Sequence, residues 1–150
     1  YKVRAEVRQT GEVRLVREPM GTLPYPYRIS LSSHRVDSRD PLLYHKTSLR
    51  SHATEGLARR VSRDAVDVIM LNERGELTES TRANVVLDLG GILVTPPVLS
   101  GLLPGTFRAR LLEAGEITER ALYEDDYLRA DKVFIVNSVR GWVPCERLDV

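Results

Sequence analysis

The sequence is poor in several features, and each scarcity removes a class of protein. A single cysteine, Cys145, excludes an internal disulfide and predicts a reducing compartment, here the cytoplasm. There are 22 basic residues and 21 acidic ones, so the net charge is +1. Such a balanced charge argues against binding of nucleic acid or of an anionic membrane as the main function. No apolar run approaches the roughly 20 residues that are needed to span a bilayer.

Several common site motifs are also missing. His34, His45 and His52 do not have zinc-ligand spacing with Cys145, and there is no His-Glu-x-x-His or paired-cysteine motif, so no metal site is expected. The glycine-containing stretch at residues 101–105 lacks the lysine of a Walker loop, and there is no Gly-x-Ser-x-Gly elbow.

The 150 residues, 42% hydrophobic and 29% charged, have the profile of one globular domain. Alternating apolar residues predict strands, and apolar stripes at helical spacing predict helices. The predicted strands cover residues 2–8, 12–17, 27–32, 67–72, 84–89, 92–95, 116–123, 132–137 and 142–150. One predicted helix starts at Ser51 and has Ala53, Leu57 and Val61 as its apolar stripe. Two further helices are predicted at Gly105–Gly115 and Glu124–Ala130. This pattern indicates an α+β domain, a mostly antiparallel sheet or partial barrel with flanking helices.

Three polar loops between these elements could carry chemistry. In residues 45–50, Lys46 follows an apolar run, so its stem is expected to enter the interior, where a lysine can act as a nucleophile; a surface lysine is the plainer alternative. In residues 77–84, Glu79 could contact a cationic ring nitrogen, or the loop could be a solvated turn. Residues 100–108 lead through Gly105 into a helix. The start of that helix could be an anion-binding site, or it could be an ordinary helix cap.

The order of these loops resembles that of the fold-type-IV, or class IV, pyridoxal-phosphate enzymes. That family includes branched-chain and D-amino-acid aminotransferases and 4-amino-4-deoxychorismate lyase. Four of its motifs are matched in order: Lys46 with Arg50; Thr78, Glu79 and Asn84; Leu103, Gly105 and Arg108; and the segment from Asn137 to Trp142. Three segments are similar to the lyase in particular: His45-Lys46-Thr47, Gly101 to Arg108, and Asn137 to Pro144.

The resemblance implies a role for each matched residue. Lys46 would be the catalytic residue, which bonds to pyridoxal 5'-phosphate and then moves the substrate proton. Glu79 would pair with the protonated pyridine nitrogen of the cofactor. Ser138 and Arg140 would face a substrate carboxylate, which suits the planar guanidinium of arginine. The other implied cofactor-binding residues are Arg50 at the phenolate, Asn84, and Gly105, Thr106 and Phe107 at the phosphate.

The implied function is a lyase that converts 4-amino-4-deoxychorismate to 4-aminobenzoate, a folate precursor, and pyruvate. The alternatives are a class IV aminotransferase of branched-chain or D-amino-acid type, and an inactive truncated domain that acts only in assembly. The family has two lobes, so residues 1–20 are interpreted as the end of an N-terminal lobe or its edge hairpin, and residues 21–150 as the cofactor-binding domain. A fragment of a larger enzyme is therefore expected. Besides the small-molecule substrate, the expected partners are a second copy in a homodimer and an aminodeoxychorismate synthase component.

Overall fold

The computed structural model describes residues 1–148, which form ten strands and three α-helices. The strands are β1 (Lys2–Val7), β2 (Val13–Glu18), β3 (Tyr27–Val36), β4 (Asp67–Asn72), β5 (Leu77–Ser80), β6 (Asn84–Leu89), β7 (Ile92–Thr95), β8 (Thr118–Glu119), β9 (Lys132–Asn137) and β10 (Gly141–Arg147). The helices are α1 (Ser51–Ala58), α2 (Thr106–Glu113) and α3 (Glu124–Arg129), with short 3₁₀ turns at Pro41–Tyr44 and Val98–Ser100. Within the described residues, no helix has the length and hydropathy to cross a membrane.

Six of the strands form a closed barrel. They pair in the order β5-β4-β3-β10-β9-β6, and β6 returns to β5 through the pair Glu79 and Asn84. Strand β3 is parallel to both β4 and β10, and the other barrel pairs are antiparallel. Strands β7 and β8 extend the sheet beyond β6. The predicted α+β fold is confirmed, with a sheet that is mixed and that closes on itself.

Strands β4 and β6 are covered on both faces, which explains why their sequences do not alternate. In β4, Ile69 and Leu71 pack with inward-facing residues from the other barrel strands, while Val68 and Met70 form a second cluster with residues of α1 and its preceding turn. Strand β6 is similar, since its Val86 packs beneath α2. Helices α1 and α2 therefore lie on the outer surface of the barrel, held there by apolar contacts.

The first hairpin forms as predicted, but its strands are not half-buried, as the alternation of their apolar residues would indicate. Strands β1 and β2 pair antiparallel around a turn in which Gly11 has a φ of 84°. Their shared apolar face is open to solvent: Val3 is 66% exposed, Val7 71% and Leu15 69%. The reason is that the two strands form a sheet of their own, and no described barrel strand pairs with either of them.

The first helix is shorter than its apolar stripe predicts. It ends at Ala58, so Val61 lies beyond it, where its N–H donates to the carbonyl of Leu31 at 3.1 Å. Ser51 is the first helical residue, as predicted, and Arg50 occupies the cap position without a side-chain hydrogen bond. The second predicted helix is confirmed.

Some predicted strand boundaries also differ. Strand β3 continues past its predicted end at residue 32 to Val36, and Leu77–Ser80 is a strand rather than part of a loop. The strand predicted at residues 116–123 is reduced to Thr118–Glu119, which pairs with the short strand β7, while Tyr123 forms only an isolated bridge with Glu76. The last predicted strand forms as β10, and residues 149–150 lie outside the described residues.

Candidate active site

A half-buried carboxyl lies at the point where the barrel closes. Glu79 is on β5, and loss of hydration raises the pKa of its carboxyl from 4.5 to about 8. A main-chain hydrogen bond from Leu103 and the nearby charges of Arg50 and Lys46 oppose this rise in the pKa, whereas the charge of Asp67 adds to it. The cofactor-free site therefore holds an acid that retains its proton near neutral pH.

Asn84 links this acid to the start of α2. Its side-chain amide donates to Glu79 Oε2 at 3.2 Å and to the carbonyl of Leu103 at 2.8 Å. A Cβ atom placed on Gly105 would lie 2.2 Å from Asn84 Oδ1, closer than real Cβ contacts come. A larger residue at position 105 would therefore have to displace the side chain of Asn84 from its hydrogen bonds. Three residues from two different motifs, Glu79, Asn84 and Gly105, are thus brought into one cluster.

The start of α2 has the properties of an anion site. Gly105 occupies the cap position and offers no side chain to the helix. The N–H groups of Thr106 and Phe107 lie in the first turn, where an α-helix has no internal acceptors, and the helix dipole places positive charge there. A Cβ atom placed on Gly141 would lie 3.8 Å from Phe107 Cζ, so the turn between β9 and β10 is next to this helix start.

Lys46 is exposed, which agrees with the plainer alternative of a surface lysine and not with a stem that enters the interior. In the preceding apolar run, Leu43 is buried within the 3₁₀ turn, and residues 45–50 then form an irregular, mostly exposed loop. The charge of Lys46 nevertheless lowers the pKa of Glu79. Arg50 has the same effect, and its guanidinium donates to the carbonyl of Thr81. Both cations thus lie within electrostatic reach of the acid.

The two residues predicted to bind substrate lie in the turn between β9 and β10. Ser138 is exposed. The side-chain oxygen of Asn137 accepts hydrogen bonds from the N–H groups of Val139 at 3.0 Å and Arg140 at 2.9 Å. These two bonds hold the main chain of the turn. The guanidinium of Arg140 donates to the carbonyl of Gly21, in the connection after β2. In this conformation Arg140 binds the protein's own main chain.

Arg108, part of the phosphate-loop motif, points away from this cluster. It is 3% exposed and donates to the carbonyl of Pro96 at 2.7 Å and to Thr95 Oγ1 at 3.3 Å. It also forms an ion pair with Glu119 of β8. These contacts attach α2 to β7 and β8, so the role of Arg108 in this structure is to hold the helix in place.

Sequence reasoning missed a buried carboxylate below the loop that carries Glu79. Asp67 has no exposed surface, and its side chain accepts hydrogen bonds from Thr81 and Tyr27. The available signal was an acidic residue placed immediately before an apolar strand.

A mixed barrel of six strands with few helices is the architecture of class IV aminotransferase structures. The family model for Amino-transferase class IV matches residues 10–148 of the chain. The chain therefore belongs to the class IV aminotransferase family.

Three similar proteins carry two different activities in their names. A Schizosaccharomyces pombe protein provisionally named aminodeoxychorismate lyase is 33% identical over 146 residues, which cover 93% of this chain and 63% of that protein. A structure of a provisionally assigned amino-acid aminotransferase from Mesorhizobium loti has a TM-score of 0.88 and 36% identity, covering 97% of this chain and 72% of the other. A structure provisionally assigned as 4-amino-4-deoxychorismate lyase from Legionella pneumophila has a TM-score of 0.83 and 28% identity, covering 91% and 53%. The chain thus spans less than two thirds of the length of the two lyase-named relatives.

Proposed function

We propose that this chain is the cofactor-binding part of a pyridoxal-phosphate-dependent lyase that converts 4-amino-4-deoxychorismate to 4-aminobenzoate and pyruvate. The observation that carries the proposal is the desolvated carboxyl of Glu79, linked through Asn84 to the start of α2. A protonated buried acid next to free helix N–H groups suits a ligand that has both a basic ring nitrogen and a phosphate. Pyridoxal phosphate has both groups, so the residues present fit this cofactor.

Four residues would hold the cofactor in this arrangement. Glu79 would share its proton with the pyridine nitrogen, and the dry surroundings would strengthen that pairing. The N–H groups of Thr106 and Phe107 would bind the phosphate. Arg50, anchored on a main-chain carbonyl, would contact the phenolate oxygen. When bound, the cofactor supplies an electron sink that acidifies the substrate carbon that bears the amine.

Lys46 would supply the reactive amine. Its exposed side chain lies within electrostatic reach of Glu79, and it would also accept the proton from the amine-bearing carbon of the substrate. Loss of the enolpyruvyl group as pyruvate then leaves 4-aminobenzoate. Ser138 and Arg140 would bind a substrate carboxylate. To do so, Arg140 would release the carbonyl of Gly21 and donate to the carboxylate instead.

A class IV aminotransferase is the second candidate, because the Mesorhizobium loti aminotransferase structure is 36% identical over nearly the whole chain. The lyase is favoured by its similar segments around Lys46, Gly105 and Arg140, and by the lyase-named relative that matches 93% of the chain. The two activities have different requirements. With 4-amino-4-deoxychorismate and pyridoxal phosphate, a lyase releases pyruvate without a keto acid. An aminotransferase needs a keto-acid acceptor and forms a new amino acid.

Substitution of Lys46 by alanine tests the attachment of the cofactor. Wild-type protein incubated with pyridoxal phosphate, reduced with borohydride and digested should carry the modification on Lys46, as read by mass spectrometry. Lys46→Ala should lose the adduct and change the unfolding free energy by no more than about 0.5 kcal/mol, because the residue is exposed. Lys132→Ala, which removes another exposed lysine, should keep the adduct. An adduct on Lys2 or Lys132, or none on the wild-type protein, would contradict the proposal.

The partners and the compartment are also part of the proposal. The chain spans 63% of the length of its Schizosaccharomyces pombe relative, so we expect further polypeptide to complete the pocket, as an N-terminal lobe or an aminodeoxychorismate synthase component. We expect the complete enzyme to be a cytoplasmic homodimer. Light scattering during size-exclusion chromatography would report the mass. An inactive assembly domain would show neither the adduct nor pyruvate release.

A further inference from the structure

A fully buried carboxylate lies beneath the turn that follows Glu79. Asp67 has no exposed surface at the start of β4. Its Oδ1 atom accepts the N–H of Val68 at 2.8 Å, and the N–H and hydroxyl of Thr81 at 3.1 and 2.7 Å. Its Oδ2 atom accepts the hydroxyl of Tyr27 at 3.1 Å. A buried carboxylate is costly unless it is hydrogen-bonded, and these four bonds satisfy Asp67.

Thr81 is the point where this carboxylate meets the proposed site. Its N–H and hydroxyl both bind Asp67, while its carbonyl accepts the guanidinium of Arg50. The rest of the turn is held separately, because the hydroxyl of Ser80 accepts two main-chain N–H groups from residues 82 and 83. Asp67 is therefore joined to Thr81 by two hydrogen bonds, and Thr81 provides the acceptor for Arg50.

The turn also sets the position of the acid. Glu79 and Asn84 are the ladder pair on either side of residues 80–83, so a movement of Thr81 would shift the pair that closes the barrel. Burial is the largest cause of the raised pKa of Glu79, and the charge of Asp67 acts in the same direction. Asp67 thus influences Glu79 through the main chain and through its charge.

We infer that Asp67 is a positioning residue for the proposed cofactor site: through Thr81, it holds the turn that presents Glu79 and the acceptor of Arg50. The inference rests on the proposed function. Tyr27 binds the same carboxylate from the opposite side and has no described hydrogen bond to the turn. The Tyr27 hydroxyl and the Thr81 hydroxyl each donate one hydrogen bond to Asp67. If the inference is right, only loss of the Thr81 hydroxyl should disturb the turn.

The test compares Thr81→Val, Thr81→Ser and Tyr27→Phe with the wild-type protein. Hydrogen exchange of the amides of residues 80–84 is measured on cofactor-free protein, and the dissociation constant for pyridoxal phosphate is measured by titration. Valine removes the hydroxyl donor and keeps the shape, so the turn amides should exchange about tenfold faster, and the cofactor should bind about tenfold more weakly. Serine restores the donor, so Thr81→Ser should stay within about twofold of wild type.

The control is Tyr27→Phe, which leaves all three hydrogen bonds to Asp67 Oδ1 in place. It should lower the denaturation midpoint but leave turn exchange and cofactor affinity within about twofold of wild type. Equal effects of Tyr27→Phe and Thr81→Val on turn exchange would overturn the inference and make Asp67 a general stability residue. Wild-type exchange in Thr81→Val would also overturn it. If the wild-type protein binds no cofactor, the proposed function fails, while exchange in the cofactor-free proteins still decides whether Asp67 holds the turn.

Discussion

Replacement of Glu79 by glutamine tests the electrostatics of the site without any cofactor. Glutamine has the shape of the protonated acid but cannot ionise. The carboxyl of Glu79 has its pKa raised from 4.5 to about 8, chiefly by burial. A group whose pKa is raised on folding stabilises the folded chain fully below its ordinary pKa, and that stability is lost as the pH rises towards the folded value.

The size of the effect follows from the two pKa values. Between pH 4.5 and about 8, the folded chain keeps a proton that the unfolded chain has released. Stability then falls by about 1.4 kcal/mol for each pH unit. From pH 5 to pH 8.5, wild type should therefore lose about 4 kcal/mol relative to Glu79→Gln. Such a loss is a large fraction of the stability of an ordinary domain.

Urea denaturation at pH 5, 6, 7 and 8.5 measures this difference. All other ionisable groups are present in both chains, so their contributions cancel in the comparison. Glu76→Gln is the matched control. Hydrogen bonding to Arg74 is the main reason that the pKa of Glu76 is lowered to about 2. The stability contributed by Glu76 is lost only as the pH falls towards 2, so the difference between Glu76→Gln and wild type should be nearly constant above pH 5.

A flat comparison would refute the reasoning. If the stability difference between wild type and Glu79→Gln changes by less than about 1 kcal/mol over this range, the carboxyl is hydrated and ionised in the folded chain. If the two glutamate variants show the same pH dependence, the effect does not come from the surroundings of Glu79.

Two further predictions concern packing around the site. Gly105→Ala should destabilise the chain by about 1–3 kcal/mol and weaken binding of pyridoxal phosphate, because its Cβ would lie 2.2 Å from Asn84 Oδ1. Gly21→Ala adds its Cβ in open space and should have little effect on either measurement. Arg108→Ala should cost about 3 kcal/mol in urea denaturation, because it leaves buried partners unpaired, whereas the exposed Arg110→Ala in the same helix should change stability by about 0.5 kcal/mol or less. Wild-type stability in Gly105→Ala, or equal losses in the two arginine variants, would contradict these predictions.

Local chemistry was sufficient to predict much of the secondary structure. Gly90 and Gly91 form the tight turn between β6 and β7 with φ values of 67° and 85°, and Gly115 follows α2 with a φ of 69°. The predicted bounds of β6 and β7 and the end of α2 before Gly115 follow from this, because a positive φ is cheap for glycine, which is a property of the individual residue. The family was predictable for a similar reason, since each of its motifs is a short continuous segment.

Burial was harder to predict, because it depends on distant parts of the chain. Val3 and Leu15 alternate as buried strand residues do, yet their hairpin has no described barrel strand against it. Lys46 follows an apolar run and is exposed, whereas Arg108 is almost fully buried. In each case the outcome depends on which element packs over the side chain.

The sequence by itself determined the main strands and helices and the order of the chemical loops, because these depend on residues close together in the chain. Only the tertiary structure decided that the barrel closes at Glu79 and Asn84, with the main chain of Leu103 against the acid. It also brought Asp67 to Thr81, 14 residues further along the chain. Desolvation is a property of the assembled surroundings, so the raised pKa of Glu79 arises only when the barrel is closed.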